Sequence, residues 1–221
     1  AKSSLKMTNI KLTSTPGDRF LTDDELVKFF VWLPGSGYAP SIKNAMRLTL
    51  WSGMRTGAVV QAEWKEIDLD KAIYFVPANK SKMKTDQYVQ LPIQAVEFLR
   101  QLKLMTGPDY LFESTKTGLP IQQKYMTESK WAMKNPGRDS VSRRFKPEEC
   151  WLATIPDWSP HDLRRTVRTG LARLGCPDEI AEAVIGHSKK GIQGTYNLHS
   201  YELECRKWLQ IWADHIFTLV Q

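Results

Sequence analysis

Apolar residues recur every three or four positions along much of the chain, which is the spacing of one face of an α-helix. The first such segment carries a capping-box pair, Thr22 and Glu25, at its start, and Pro34 follows its end. The same pattern predicts helices at residues 23–32, 41–52, 57–61, 92–106, 122–134, 160–174, 177–185 and 202–219. We therefore expect a chain dominated by helices.

Cap and turn residues mark the ends of several of these helices. Ser41 is the expected cap of the second helix, and Gly53 is expected to end it. The apolar side of the last helix is expected to contain Leu203, Trp208, Ile211, Trp212 and Ile216. That side covers either this domain or a second copy of it, and the pattern leaves both possibilities open.

Short β-type segments at residues 67–69, 73–76 and 88–91 are separated by polar turns. They predict a three-stranded antiparallel sheet near residues 65–92, with the lysine-rich residues 79–86 at the tip of its second hairpin. The helices and the sheet together predict an α+β fold that is mostly α-helical.

Two stretches lack any periodicity. Residues 1–18 are polar and are expected to be an interdomain linker. Residues 135–159 are polar, partly basic and interrupted by prolines, which predicts a long surface loop of a kind either kept for function or left flexible. Residues 19–221 then form a single domain, since a chain of 221 residues with 42% hydrophobic content can bury one substantial core.

The composition adds a net charge of +7 and a pI near 9.3, with 31 lysines and arginines spread along the chain. A basic globular domain points to a polyanion, most often nucleic acid. Cys150, Cys176 and Cys205 have no C-x-x-C spacing, which indicates free thiols in a reducing compartment. No apolar run approaches the roughly 20 residues that span a bilayer, and no signal peptide is visible, so we expect a cytoplasmic protein without a membrane span.

Residues that can act on a phosphate group are concentrated in residues 159–201. His161 and Arg164 lie one helical turn apart, so they can reach the same small anion. Arginine presents a planar fork of donors matched to phosphate, and an imidazole can donate a hydrogen bond or move a proton. His187 follows the second helix of this region, and Tyr196 comes nine residues later.

The motifs HDLRR, GH and TYN, in that order, resemble those of the tyrosine recombinases, also called the phage integrase family. The resemblance implies catalytic roles for His161, Arg164, His187 and Tyr196. Upstream, SGMRTG resembles the segment that holds the first catalytic arginine of the family, which implies Arg55.

In KMKTDQYVQLP, the lysine eight residues before the proline resembles the hairpin lysine of the family, which implies Lys84, with Lys82 as its nearest competitor. The resemblance covers roughly residues 19–216, and the final TYNLHSYELECRKWLQIWADH is most similar to integrases of prophages and genomic islands. The family commonly has a glutamate at the position of Ala58, and its absence leaves the positioning of Arg55 open.

The resemblance implies a site-specific DNA recombinase that cuts and rejoins DNA through a 3′-phosphotyrosine intermediate, and so integrates or excises a mobile element. It implies neither a cofactor nor a metal. The implied roles are nucleophile for Tyr196, phosphate binding for Arg55, Arg164 and His187, general acid for Lys84, and acid/base near the tyrosine for His161.

The implied partner is double-stranded DNA at attachment sites. Family members act as tetramers and exchange C-terminal segments, so the helix after Tyr201 is expected to dock in trans on DNA, while the isolated domain can be a monomer. An N-terminal helical DNA-clamping domain is expected to be absent from this chain. The expected location is the bacterial cytoplasm, on the nucleoid.

Two other functions stay open on the sequence. A type IB topoisomerase shares the arginine, lysine, histidine and tyrosine chemistry but relaxes supercoils without joining two sites. A non-catalytic DNA-binding module of the same fold would fit the departure at Ala58. Each candidate residue taken singly is more often a surface, capping or packing residue, and only their joint order favours catalysis.

Overall fold

A computed structural model of the chain describes residues 18–135, 155, 157–187 and 201–221. Helices dominate these residues, and a small sheet lies between the third and fourth helix, so the predicted α+β, mostly helical class is confirmed. The helices are α1 (Asp23–Gly35), α2 (Pro40–Ser52), α3 (Thr56–Val59), α4 (Ile93–Lys103), α5 (Gln123–Lys134), α6 (Pro160–Arg173), α7 (Asp178–Val184) and α8 (Glu202–Leu219).

The sheet has the predicted three antiparallel strands in the order β1 (Ile67–Asp68), β2 (Ile73–Val76) and β3 (Gln87–Gln90). Buried Tyr74 on β2 lies opposite Val89 on β3 and fixes the register of the second hairpin. β3 begins one residue before the prediction because Gln87 pairs with Val76 at the end of β2. The sheet therefore presents the hairpin residues 77–86 at one end.

The start of α1 was predicted correctly and its end was not. The Thr22 hydroxyl accepts a bond from the Glu25 amide, and the Glu25 side chain accepts one from the Thr22 amide, which completes the capping box. The helix continues past Trp32 to Gly35, with Pro34 inside its last turn. A proline at this position removes the amide donor that would bond the Phe30 carbonyl oxygen, and the helix stops one residue later.

Two further helix ends differ from the predictions. Ser41 does not cap α2, because the helix begins one residue earlier, at Pro40, and Ala39 occupies the cap position. Proline suits the first helical position because the amide hydrogen that it lacks would have no partner within the helix there. α4 ends at Lys103, earlier than the predicted stop at Gly107-Pro108. The Thr106 hydroxyl instead donates to the carbonyl oxygen of Leu102 and closes the last turn.

Helix α8 has the predicted bounds and packs on its own chain. Trp212 is 1% exposed, and its indole N–H donates to the Leu50 carbonyl oxygen at 2.8 Å. Leu203, predicted on the apolar side, is 79% exposed, so that assignment was wrong. The buried face instead begins at Cys205, two residues and therefore about 200° away around the helix.

Part of the stretch that was predicted to be a loop belongs to the core. Residues 136–154 and 156 lie outside the described residues, but Ile155 and Trp158 are each 1% exposed. The Trp158 ring meets the Phe29 ring edge-on, with 5.4 Å between their centroids. These contacts pack the segment that precedes α6 onto α1. Among the described residues, no helix is long and apolar enough to cross a membrane.

Candidate active site

The N-terminus of α6 is capped without the help of His161. The Asp162 carboxylate accepts bonds from the Ser159 amide at 2.6 Å and from the Ser159 hydroxyl at 2.8 Å, and the Asp162 amide donates to the Ser159 carbonyl oxygen at 2.9 Å. The same carboxylate pairs with Arg165. Ser159 and Asp162 therefore cap the helix, and His161 takes no part in the cap. His161 faces outward from the first turn.

Arg164 lies one turn along α6 and points inward, with 4% of its surface exposed. Its two terminal nitrogens donate to two backbone carbonyl oxygens, that of Gly53 at 2.8 Å and that of Ile185. A guanidinium has five N–H donors, so three remain for another acceptor. Arg164 therefore ties the turn before Arg55 to the end of α7.

A tight turn at Gly53 carries Arg55 to this place. Gly53 adopts a φ of 66°, a conformation that favours glycine, and a Cβ there would crowd Val167 at 3.1 Å and Ile185 at 3.3 Å. Arg55 precedes the first residue of α3 and is half-buried. In the described part of the chain no carboxylate is paired with it, and burial lowers its pKa. Its charge is available to a ligand.

Arg55 and His161 line one surface depression, and Lys82 reaches the same depression from the hairpin. Arg164 lines an adjoining depression, and the two share Met54 and Gln87 as a common wall. Residues that are 109 positions apart in the sequence, Arg55 and Arg164, are therefore brought to the same part of the surface.

The cationic groups affect one another electrostatically. Burial first, and then the field of Arg55, lowers the pKa of Arg164 to about 9, so that it is still mostly charged at neutral pH. His161 is exposed overall, but its imidazole sits in the depression, and partial loss of hydration, then the charges of Arg165 and Arg164, lower its pKa. The site is therefore positive, and it favours a neutral imidazole that can accept a proton.

His187 follows Gly186 at the end of α7. Its Nδ1 lies 2.6 Å from a carboxylate oxygen of Glu182, and Gly186 adopts the left-handed φ of 60° that ends the helix. Because Arg164 binds the carbonyl oxygen of Ile185, the residue before Gly186, the segment that holds His187 is anchored directly to Arg164.

The hairpin lysines have distinct environments. Lys80 is bound by Glu63 and Glu66, each at 2.6 Å, so its charge is neutralised. Lys82 is exposed and lines the depression with Arg55. Lys84 is exposed at the tip of the hairpin, where its φ is 55°, and it does not line that depression. Lys84 remains the predicted general acid, with Lys82 as the competitor that lies nearer to Arg55 in this conformation.

Two other sequence predictions concern positions near the site. Tyr196 lies outside the described residues. Ala58, which stands where the family commonly has a glutamate, is 8% exposed, and its carbonyl oxygen accepts a bond from the Tyr74 hydroxyl at 3.2 Å. Position 58 thus contributes a backbone contact to the sheet and no charge to Arg55.

Two glutamines at the site were not found from the sequence. The side-chain amide of Gln123, at the start of α5, donates to the Thr56 hydroxyl at 3.0 Å and so supports the turn of Arg55. The side-chain amide of Gln87 donates to the Ser81 hydroxyl at 3.1 Å. Glutamines are common on surfaces, and nothing in their local sequence distinguishes these two.

Comparison with known proteins places this arrangement in a family. The model of the phage integrase family matches residues 19–202. Two Escherichia coli K12 proteins are similar: prophage integrase IntA, 28% identical over 163 residues and covering 72% of this chain, and prophage integrase IntZ, 27% identical over 199 residues and covering 89%. The matches span only 35% and 44% of those two proteins, so this chain corresponds to less than half of their length.

A solved structure with a similar fold is a lambda integrase (residues 75–356) dimer bound to a COC′ core site. The TM-score is 0.55 at 20% identity, and the alignment covers 83% of this chain and 62% of that one. The family match extends over most of the chain and includes the segments of Arg55, Arg164 and His187. The chain belongs to the phage integrase family.

Proposed function

We propose that this chain is the catalytic domain of a site-specific DNA recombinase of the integrase type, which integrates or excises a mobile element. The observation that carries the proposal is the convergence of Arg55, Arg164 and His161 at one positive surface, although Arg55 comes from a different part of the chain. Prophage integrases among the relatives support the same conclusion.

In the proposed reaction the Tyr196 hydroxyl attacks the phosphorus of a DNA phosphodiester. A bond forms between the tyrosine oxygen and phosphorus, the bond from phosphorus to the 5′ oxygen breaks, and a 3′-phosphotyrosine and a 5′ hydroxyl result. His161 takes the tyrosine proton, since its lowered pKa favours the neutral base. A hairpin lysine, Lys84 or its competitor Lys82, gives a proton to the departing oxygen.

Arg55 and Arg164 would hold the two nonbridging oxygens, and His187 would donate a further hydrogen bond. Each preorganised donor of this kind is typically worth about 100- to 1000-fold in rate. The phosphotyrosine conserves the energy of the broken bond, so a 5′ hydroxyl from a second strand can reverse the attack and rejoin the DNA. The scheme uses no cofactor and no metal.

Double-stranded DNA is the proposed partner. Lambda integrase, whose fold is similar, has been solved as a dimer on a core site and as a tetramer bound to a Holliday junction. A homotetramer on paired sites is the corresponding proposal for this protein, with C-terminal segments exchanged between protomers. Burial of Trp212 of α8 in its own chain supports a monomer in the absence of DNA, and an exchange of α8 would first have to release that side chain.

Residues 19–221 are the proposed catalytic domain, and residues 1–18 the proposed linker to a DNA-clamping domain. The greater length of the relatives is consistent with further domains in the whole protein. The proposed location is the bacterial cytoplasm, with the protein on the nucleoid through its DNA sites.

The test uses duplexes with a randomised core and 5′-bridging phosphorothiolate linkages. Cleavage of such a linkage releases a thiol that does not reverse the attack, so a covalent protein–DNA complex accumulates. The wild-type chain is expected to form a complex that resists denaturant, with or without chelator, and Tyr196→Phe is expected to form none. Equal yields from the two proteins would refute the proposal.

A further inference from the structure

The turn at the end of α7 folds His187 back over the helix. The Gly186 amide donates to the Ala183 carbonyl oxygen and the His187 amide to the Glu182 carbonyl oxygen, each at 2.9 Å, with Gly186 at a φ of 60°. These two bonds define a Schellman motif, in which the residues at the positions of His187 and Glu182 usually share an apolar contact. The backbone therefore forces the two side chains together.

Here the contact is polar. Nδ1 of His187 lies 2.6 Å from one Glu182 oxygen, Oε2, and the other oxygen, Oε1, accepts from Nε of Arg168 at 2.7 Å. Arg168 also pairs with Asp178 at the start of α7. Each oxygen of Glu182 thus has its own donor, and the carboxylate cannot rotate away from the imidazole without losing the arginine.

The ionisation of Glu182 determines which imidazole nitrogen carries hydrogen. Burial alone would raise its pKa, but the bonds from Arg168 and His187 outweigh that effect, and the pKa lies below its usual 4.5. At neutral pH Glu182 is a carboxylate, which can only accept hydrogen bonds. The hydrogen of the short bond is therefore on Nδ1, and Nε2 of His187 is left as the atom that points away from Glu182.

We infer that Glu182 is a positioning residue for His187, which acts by holding Nδ1–H so that Nε2 is presented to the scissile phosphate. The inference rests on the proposed function for the role of Nε2, but the contact itself does not. To donate from Nε2 as well, His187 must carry two protons, and the carboxylate then offsets the charge of the imidazolium.

The same helix face ties this pair to the phosphate-binding arginine. Arg164 and Arg168 are one turn apart on α6; the first binds the Ile185 carbonyl oxygen and the second binds the Glu182 side chain. The backbone and the side chain of the His187 turn are thus both held by α6. Glu182 therefore fixes the imidazole relative to Arg164, as a carboxylate behind a catalytic or metal-bound imidazole does in other sites.

The kinetic test compares Glu182→Ala, Glu182→Gln and the matched control Asp178→Asn, which removes the other carboxylate of Arg168 without touching His187. For Glu182→Ala we expect covalent trapping on the phosphorothiolate duplexes to slow about 10- to 100-fold at unchanged DNA affinity. Glu182→Gln keeps an oxygen acceptor and should recover part of the rate. Asp178→Asn should match the wild type.

The spectroscopic test reads the imidazole in the free chain, by ¹⁵N chemical shifts of His187 at about pH 8.5, where an ordinary imidazole is neutral. The wild type should carry its hydrogen on Nδ1, and Glu182→Ala should lose that preference. Unchanged shifts in folded Glu182→Ala, or a trapping rate equal to that of Asp178→Asn, would overturn the inference. Absence of any adduct with the wild type would instead refute the proposed function, and the ¹⁵N shifts would then decide the role of Glu182 alone.

Discussion

At Gly170, in the middle of α6, helix propensity favours alanine but packing favours glycine. On propensity alone, alanine in a helix interior is favoured over glycine by about 1 kcal/mol. A Cβ at position 170, however, would lie 2.1 Å from one carbon of the Trp212 ring and 2.6 Å from another. Trp212 is 1% exposed, so its ring has no free space to enter.

The packing cost is expected to exceed the gain in propensity. Forcing an extra methyl group into a filled core costs about 1–3 kcal/mol. If the ring moves, the indole also loses its bond to the Leu50 carbonyl oxygen, worth about 1 kcal/mol. After subtraction of the propensity gain, Gly170→Ala should lower the free energy of unfolding by about 1–3 kcal/mol, and the melting temperature by about 2–12 °C.

Urea unfolding and thermal scans would measure the effect, with Gly35→Ala as control. Gly35 also lies in a helix, but a Cβ there meets nothing within 4 Å, so its change should stay within about 0.5 kcal/mol. In a Trp212→Leu background, Gly170→Ala should cease to destabilise, since the clash is gone. A stabilised Gly170→Ala protein would refute the packing, and a melting temperature that rises with protein concentration would refute its assignment to one chain.

Three further predictions concern the hairpin lysines, the turn of His187 and acid stability. Replacing the general-acid lysine by alanine should abolish cleavage of ordinary DNA but not of the phosphorothiolate, because a thiolate leaves without a proton. We expect this result for Lys84→Ala. If Lys82→Ala shows it instead, the role of general acid belongs to Lys82. Gly186→Ala and Gly175→Ala both place a side chain at positive φ, and each should lower the free energy of unfolding in urea by about 1–2 kcal/mol. Only Gly186→Ala should slow covalent trapping. Equal trapping rates for the two variants would contradict the site. Burial would raise the pKa values of Asp23 and Glu25, but bonds to Arg173 and Arg19 outweigh it and hold both pKa values below the usual 3.8 and 4.5. The stability that these two carboxylates contribute should therefore be fully present above about pH 5 and be lost as the pH drops through the lowered values. Glu25→Gln should flatten that fall, and an equal loss of stability in the wild type and Glu25→Gln between about pH 5 and 2 would refute it.

The elements predicted correctly are those with local causes. The Thr22 capping box, the start of α6 at Pro160 and the stop at Gly53 each depend on a few neighbouring residues. The sheet followed from three short β-type segments that are separated by polar turns. The orientation of α8 was missed at Leu203, because the tail has apolar residues on more than one side and only packing on the rest of the domain, including α6, α7 and β3, selects the buried face.

The prediction of the candidate site depended on family motifs and not on local structural signals. The order and spacing of the motifs led to Arg55 and Arg164, because a family pattern identifies the residues of one site even when they are far apart in the sequence. The partners that hold them could not be predicted in this way. The carbonyl oxygen of Ile185, the Glu182 carboxylate and the Gln123 amide become relevant only once separate helices meet, and no local signal marks them.

The most direct measurement is the identity of the residue bonded to DNA. The trapped complex would be digested with protease and nuclease, and the peptide that carries a nucleotide would be sequenced by mass spectrometry. The account predicts a 3′-nucleotide on Tyr196 alone, lost when Arg164 is replaced by alanine in a protein that still folds. An adduct on another residue, or one that forms equally well without Arg164, would contradict it.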